Sequence, residues 1–175
     1  MKNYDFLVLG AGIFGLSTAI ELRRRKYSVG ILNPDEIPHP LAASTDISKV
    51  VRMEYGSDVE NLKMAVESME EWRAWNDLFK DTLYHETGYT VLSKKEMDFN
   101  SPAYEPTSYQ NLLENGFKPE RLDTGQISAR FPAFQPGFYT DGFYHNIGGF
   151  AESGRVLETL VRYARQLEIG VHQGQ

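Results

Sequence analysis

Phe6-Leu7-Val8-Leu9-Gly10-Ala11-Gly12-Ile13-Phe14-Gly15 is the stretch that decides the fold of this chain. The four apolar residues 6–9 are typical of a strand that is buried on both faces of a parallel sheet. A helical pattern follows the glycines over residues 16–22, and the apolar run 29–32 predicts a second strand. Strand, glycine loop, helix and strand together fit within the roughly 30 residues of a βαβ unit. The sequence therefore predicts an α/β fold with a Rossmann-like parallel sheet.

Each glycine of the loop has a physical task in such a unit. Gly10 permits the tight turn out of the strand, Gly12 lets the backbone approach a pyrophosphate, and Gly15 lets the helix pack on the sheet. Ile13 and Phe14 lie between the glycines, and the helix that follows has free N–H groups and a positive dipole end that attract phosphate. We therefore assign these five residues to the binding of a dinucleotide cofactor. A purely structural glycine-rich turn is the alternative.

The end of the second strand departs from the usual dinucleotide-binding pattern. An acidic residue normally stands there and holds the ribose hydroxyls, but this chain has Asn33 followed by Pro34. An amide still forms hydrogen bonds with a hydroxyl, so Asn33 and Pro34 stay candidates for cofactor contact, with Asp35 as a substitute. The glycine motif alone does not separate FAD from NAD or NADP.

Composition excludes several classes of protein and site. The 175 residues carry a formal net charge of -6 and contain no cysteine. The acidic balance gives no general attraction to nucleic acid or to an anionic membrane, and no apolar run approaches the roughly 20 residues that span a bilayer. The four histidines share no ligand spacing, so no metal site is predicted. We expect neither a signal peptide nor a transmembrane segment.

Residues 41–52 follow a loop that contains Pro38, His39 and Pro40. Ser44, Thr45 and Asp46 are all suited to cap the N-terminus of a helix, and a second helix N-terminus would add donors for the phosphates. If the segment is helical, Lys49 and Arg52 lie on one face. Solvated surface cations are the alternative interpretation of this pair.

The glycine motif, Pro38-His39, residues 44–52 and Tyr55-Gly56 together resemble the FAD-dependent amine oxidases of the D-amino-acid oxidase superfamily. The similarity is to monomeric sarcosine oxidase, N-methyltryptophan oxidase, pipecolate or saccharopine oxidase and fructosyl-amino-acid oxidase. It continues to the end of the chain through a helix at 62–79, strands at 87–92, 141–144, 148–151 and 169–172, and helices at 123–132 and 152–167.

The resemblance implies a domain organisation. Residues 1–82 are expected to form the first part of an FAD-binding domain and residues 83–150 the first part of a substrate-binding domain. Residues 151–175 are expected to return to the FAD-binding domain. Members of this family are much longer, so the chain is expected to be an N-terminal portion. It needs a C-terminal half, in the same or a separate chain, and by itself is expected to be inactive.

The resemblance also implies a reaction. FAD-dependent oxidation of a secondary amine or N-substituted amino acid gives an imine, while oxygen is reduced to hydrogen peroxide. His39, Ser44 and Thr45 are implied cofactor contacts. Lys49 is expected near the flavin ring, where its charge assists oxygen, and Arg52 is expected to bind the substrate carboxylate.

The expected partners are therefore a small amine and oxygen, in a cytoplasmic or peroxisomal protein that binds no nucleic acid or membrane. Two other functions stay open. One is an NAD(P)-dependent dehydrogenase built on the same nucleotide fold. The other is a dinucleotide-binding fragment without catalytic activity.

Overall fold

The computed structural model of the chain describes residues 3–174. Its elements are β1 (Phe6–Leu9), α1 (Ile13–Arg24), β2 (Val29–Asn33), β3 (Lys49–Val51), α2 (Val59–Phe79), β4 (Tyr84–His85), β5 (Tyr89–Ser93), α3 (Tyr104–Glu114), β6 (Glu120–Asp123), α4 (Thr124–Arg130), β7 (Asp141–His145), β8 (Gly149–Ala151), α5 (Ser153–Gln166) and β9 (Gly170–Gln173). They belong to two compact units. Among the described residues, the first comprises 3–49, 79–83 and 151–174, and the second comprises 50–78 and 84–150.

The first unit contains the predicted βαβ arrangement. Its parallel sheet has the order β1-β2-β9, with Phe6 opposite Val29 and Gly30 opposite Gly170. Helix α1 crosses between β1 and β2 and buries one apolar face. The buried residues of that face are Leu16, Ala19 and Ile20. The strand, loop, helix and strand predicted from residues 6–32 are confirmed.

The burial of β1 differs from the prediction. Leu7 is 56% exposed and Leu9 is 80% exposed, although a strand buried on both faces was expected from the apolar run. The reason is topological, because the described helix that packs on β1 is α1, and it covers one face of the strand. Successive side chains of a strand point to opposite faces. Val8 faces α1, and Leu7 and Leu9 lie on the other face.

The second unit holds an antiparallel sheet of order β5-β7-β6 and most of a second sheet of order β3-β8-β4. Val91 of β5 lies opposite Phe143 of β7. The helix predicted over residues 62–79 is α2, which contributes Leu62 and Met69 to the core. The other buried members of that core are Met53, Val91, Met97, Leu112 and Phe143. Trp75 is also buried, as expected for a core residue.

The helix considered for residues 41–52 does not form. Residues 41–48 make turns, with the Ala42 N–H donating to the His39 carbonyl at 3.0 Å and the Thr45 N–H to the Ala42 carbonyl at 2.8 Å. The chain then enters β3 at Lys49, in agreement with the strand preference of two consecutive valines. Lys49 and Arg52 therefore share no helical face.

No helix within residues 3–174 combines the length and apolar character needed to cross a bilayer.

Candidate functional site

The glycine motif of residues 10–15, which joins β1 to the first turn of α1, requires glycine at its first and last positions. Gly10 has a φ of +93°, a backbone conformation that residues other than glycine rarely adopt. Its N–H donates to the Leu32 carbonyl of β2 at 2.8 Å. A Cβ on Gly15 would collide with the Gly10 carbonyl oxygen. The two glycines thus allow the turn and the close approach of α1 to the strand end.

Gly12 forms the N-cap of α1 and presents bare backbone. The first hydrogen bond inside the helix runs from the Leu16 N–H to the Gly12 carbonyl at 3.0 Å, so the amides before Leu16 have no acceptor within the helix. A Cβ on Gly12 would lie 3.2 Å from Ser44 Oγ, which is tighter than ordinary packing. Ile13 is half-buried and Phe14 is exposed in the first turn of the helix.

Ser44 and Thr45 contribute hydroxyls in the first unit. Ser44 Oγ accepts a hydrogen bond from the Ile13 N–H at 3.3 Å, so this serine lies beside the glycine loop. Thr45 Oγ1 is buried and has no hydrogen-bond partner among residues 3–174. A buried hydroxyl without a partner is uncommon in a folded protein. The cofactor contact expected of Thr45 stays a prediction.

Asn33 holds the glycine loop from the neighbouring strand. Its Oδ1 accepts from the Ala11 N–H at 2.9 Å and its Nδ2 donates to the Asp35 carbonyl at 2.8 Å. Both ends of the amide are therefore engaged in shaping the loop. Pro34 and Asp35 follow on the surface. The bracing role of Asn33 was not predicted from the sequence, which pointed only to a ribose contact.

His39 makes a local turn contact. Its Nδ1 accepts from the Leu41 N–H at 3.2 Å, and the ring is half-buried. These contacts stabilise the turn that follows Pro38.

The glycine loop fits the diphosphate of a dinucleotide. Its helix N-terminus offers amides that have no acceptor within the helix and a positive dipole end, the two features that bind phosphate. No side chain projects from Gly12 into the space beside Ser44. Gly10, Gly12, Ile13, Ser44 and the brace Asn33 come together around this loop.

Lys49 is an exposed cation at the start of β3. Its Nζ lies 2.8 Å from Asp46 Oδ2. The hydrogen bond from Lys49, together with the Ile47 N–H, holds the pKa of Asp46 below its ordinary value. Such an exposed pair leaves the ammonium in contact with solvent, where the pairing contributes little to stability.

Arg52 lies in the second unit among tyrosines. Its Nη1 donates to the hydroxyl of Tyr104 at 2.8 Å. The guanidinium carbon lies 4.7 Å from the ring centroid of Tyr55 and 5.8 Å from that of Tyr104, within the range of a cation–π interaction. Burial raises the pKa of Tyr104, and the Arg52 charge opposes that rise.

The structure adds a buried pair that sequence reasoning missed. Glu54 and His145 are 0% and 4% exposed, and Nε2 of His145 is hydrogen-bonded to Oε1 of Glu54. Tyr104 was also missed, although its hydroxyl joins Arg52 to the Glu54 carbonyl, 3.0 Å away. No spacing in the sequence links these positions. Among residues 3–174, no three His, Asp or Glu side chains are grouped as metal ligands.

Comparison with known proteins finds relatives that are named as oxidases. The chain is 28% identical over 170 residues to L-saccharopine oxidase of Schizosaccharomyces pombe, covering 93% of this chain and 39% of the relative. It is 26% identical over 172 residues to human peroxisomal sarcosine oxidase, covering 98% of this chain and 43% of the relative. The chain thus spans about two fifths of the length of these proteins.

Solved structures have the same fold. A modified fructosyl peptide oxidase from Aspergillus nidulans matches with a TM-score of 0.80 and 24% identity, over 98% of this chain and 41% of that one. L-proline dehydrogenase from P. horikoshii matches with a TM-score of 0.82 and 15% identity, over 96% of this chain and 43% of that one. The model of the DAO family, described as FAD dependent oxidoreductase, matches residues 5–175. The chain therefore belongs to the DAO family of FAD-dependent oxidoreductases.

Proposed function

We propose that the protein is an FAD-dependent oxidase that converts a secondary amine or N-substituted amino acid into an imine and reduces oxygen to hydrogen peroxide. The observation that carries the proposal is the glycine loop, in which bare backbone at Gly12 faces Ser44 at the start of α1. The family match supports FAD over a nicotinamide cofactor. The names of the relatives, saccharopine and sarcosine oxidase, support the substrate class.

The residues of the first unit would hold the cofactor. Gly10 and Gly15 fix the turn. The Ile13 amide holds Ser44 beside the loop, and the Phe14 amide stands where a diphosphate binds a helix N-terminus. Ser44 and Thr45 supply hydroxyls beside the loop. When bound, FAD supplies the redox chemistry by taking two electrons from the C–H bond beside the amine and passing them to oxygen. The chain itself binds and orients.

Arg52 is proposed to bind the carboxylate of an amino-acid substrate. A guanidinium presents a planar fork that donates two parallel hydrogen bonds to a carboxylate. Fixing the substrate by its carboxylate places the amine-bearing carbon at a constant distance from that anchor. The positive charge also selects amino acids over simple amines.

Lys49 is proposed to assist oxygen. Oxygen gains negative charge with its first electron, and a fixed cation stabilises charge that develops during a reaction. The ammonium group of Lys49 is a compact point charge rather than a fork. This suits a small anion without a planar binding edge.

The two compact units are proposed to divide these tasks. The first unit contains the glycine loop, Ser44 and Thr45, and so would bind the cofactor. The second contains Arg52 and the antiparallel sheet, and so would bind the substrate. A peroxisomal or cytoplasmic location is part of the same proposal, and the name of the human relative supports the peroxisomal alternative.

The experiment that tests this function is a cofactor and turnover analysis of the purified full-length protein, in which this chain is joined by the C-terminal half that its relatives contain. We expect a yellow preparation that releases FAD on denaturation. It should form peroxide with at least one of sarcosine, pipecolate, saccharopine and a fructosyl amino acid, and catalase should remove the signal. Colourless protein that binds NADH would support a dehydrogenase instead. Bound flavin without peroxide from any of the four substrates would overturn the oxidase proposal.

A further inference from the structure

We propose that Tyr104 is a positioning residue for Arg52, which it holds with one edge of the guanidinium directed to a substrate carboxylate. This inference rests on the proposed role of Arg52 in substrate binding. It concerns a residue on α3, far from Arg52 in the sequence. The contacts that support it lie entirely within the second unit.

Tyr104 occupies only one nitrogen of the guanidinium. The hydrogen bond runs from Arg52 Nη1 to the phenolic oxygen, at 2.8 Å. Among residues 3–174, no acceptor is bonded to Nε or Nη2 of Arg52. These two nitrogens form the edge that receives a carboxylate side-on through two parallel bonds. Tyr104 therefore orients the fork without blocking it.

Tyr104 is itself anchored to the backbone beside Arg52. Its hydroxyl donates to the Glu54 carbonyl at 3.0 Å, so the oxygen's lone pairs face Arg52. A phenol that donates in one direction and accepts in the other has a fixed orientation. Rings of Tyr55 and Tyr104 lie near the guanidinium carbon and further limit its movement.

The guanidinium of Arg52 stays available to an external carboxylate because the carboxyl group of nearby Glu54 is already hydrogen-bonded elsewhere. Glu54 Oε1 is bonded to His145 and Glu54 Oε2 accepts from the Met53 N–H at 3.1 Å. With Glu54 at 0% exposure, its side chain is directed into the core. The one internal anion within two residues of Arg52 is thus held away from the guanidinium.

The test compares Tyr104→Phe, Arg52→Met and the double variant in the FAD-loaded protein. Substrates are an amino acid that the protein oxidises and the matching amine without a carboxylate. Tyr104→Phe keeps the ring and removes the hydroxyl. We expect it to raise KM for the carboxylate substrate by about 3- to 10-fold, the effect of one lost hydrogen bond. The dissociation constant of a carboxylate inhibitor, measured by calorimetry, should rise equally, while kcat and the kinetics of the amine stay unchanged.

Tyr109→Phe is the matched control, because Tyr109 lies on the same helix and packs on Phe99 and Phe143 without touching Arg52. It should leave KM unchanged. In the Arg52→Met background, Tyr104→Phe should have no further effect. The positioning role of Tyr104 would be overturned if Tyr104→Phe raised KM equally for the carboxylate substrate and the amine. It would also be overturned if Tyr104→Phe had its full effect on KM in the Arg52→Met background.

The same variants distinguish a failure of the inference on Tyr104 from a failure of the proposed role of Arg52. If Arg52→Met raises KM for the carboxylate substrate and Tyr104→Phe does not, only the inference on Tyr104 fails. If Arg52→Met has no effect on KM or on inhibitor binding, the proposed role of Arg52 fails and the inference fails with it.

Discussion

His145 and Glu54 are joined by a hydrogen bond between Nε2 and Oε1, although 91 residues separate them in the chain. His145 ends β7, and Glu54 follows β3. Both side chains are almost completely buried. Nδ1 of His145 has no partner within the part of the chain that the structure describes. The buried carboxylate therefore depends on this imidazole and on the Met53 amide.

Removing either member of this pair should destabilise the second unit strongly. Glu54→Ala or His145→Ala leaves a buried polar group without its partner, which costs about 3–5 kcal/mol in comparable pairs. Urea unfolding followed by fluorescence measures the loss. Because each single change removes the same interaction, the double variant should lose less than the sum of the two.

An exposed glutamate provides the comparison for that experiment. Glu114 lies at the end of α3 on the surface, and Glu114→Ala should change the free energy of unfolding by no more than about 0.5 kcal/mol. Additive losses at Glu54 and His145, or losses as small as that of the control, would show that the pair is not coupled.

The surroundings of the Asp141 carboxyl group predict how the free energy of unfolding depends on pH. Burial raises its pKa, but the Arg121 guanidinium and the Met97 and Gly142 amides outweigh burial and hold the pKa below the ordinary value of 3.8. A carboxyl with a lowered pKa in the folded state stabilises the protein above its unfolded pKa. That contribution disappears as the pH falls through the folded pKa.

Asp141→Asn should therefore destabilise the protein at neutral pH, by about 1–3 kcal/mol for the lost charged hydrogen bonds. Unfolding free energies measured from pH 7 downward should differ by a constant amount above about pH 5 and converge below pH 3.8. Asp77→Asn on the exposed surface of α2 serves as the control and should follow the wild type at every pH. A difference between Asp141→Asn and wild type that persists undiminished at the lowest pH would contradict this account.

The parts of the fold that sequence predicted correctly are those with a local physical cause. The glycine loop, α1 and β2 follow from a strand, a turn with special backbone needs and an amphipathic helix that are contiguous in the chain. Helices α2 and α5 were expected from the family resemblance, and each buries apolar residues of its own segment. Each of these signals is complete within one window of sequence.

The features that the sequence predicted wrongly or did not reveal depend on distant parts of the chain or on competing local preferences. Exposure of β1 depends on which strands and helices flank it, and the apolar run 6–9 does not carry that information. Ser44, Thr45 and Asp46 favour turns by the same local hydrogen bonding that favours helix N-caps, so the sequence did not decide between the two. The Glu54–His145 pair depends on the meeting of two distant strands, and no local pattern marks it.

Gly12→Val should abolish cofactor binding. A Cβ at this position already lies 3.2 Å from Ser44 Oγ, and the two methyl groups of valine would fill the space where a diphosphate meets bare amides. The ratio of flavin to protein absorbance measures the effect. Added FAD should raise the melting temperature of the wild type and not that of the variant.

Gly125→Ala in α4 is the control for the loss of a glycine, since Gly125 has ordinary helical backbone and lies on the surface. It should retain a full complement of flavin. An undiminished flavin content in Gly12→Val would remove Gly12 from the cofactor site.

Asn33→Ala should weaken cofactor binding without touching the glycines. The change removes the acceptor of the Ala11 N–H and the donor to the Asp35 carbonyl, so the loop loses its side-chain connection to the end of β2. A lost hydrogen bond of this kind corresponds to about 0.5–1.5 kcal/mol, or roughly a 2- to 12-fold rise in the dissociation constant of FAD. Titration of the apoprotein with FAD, followed by quenching of flavin fluorescence, gives that constant. Asn100→Ala, in an exposed loop of the second unit, should bind FAD as the wild type does.

Asn33→Asp distinguishes bracing of the loop by Asn33 from direct contact of Asn33 with ribose. A carboxylate keeps the bond to Ala11 but faces the Asp35 carbonyl without a proton to donate, so bracing predicts weaker FAD binding. A direct ribose contact predicts tighter binding, and that result would assign Asn33 to the cofactor rather than to the loop.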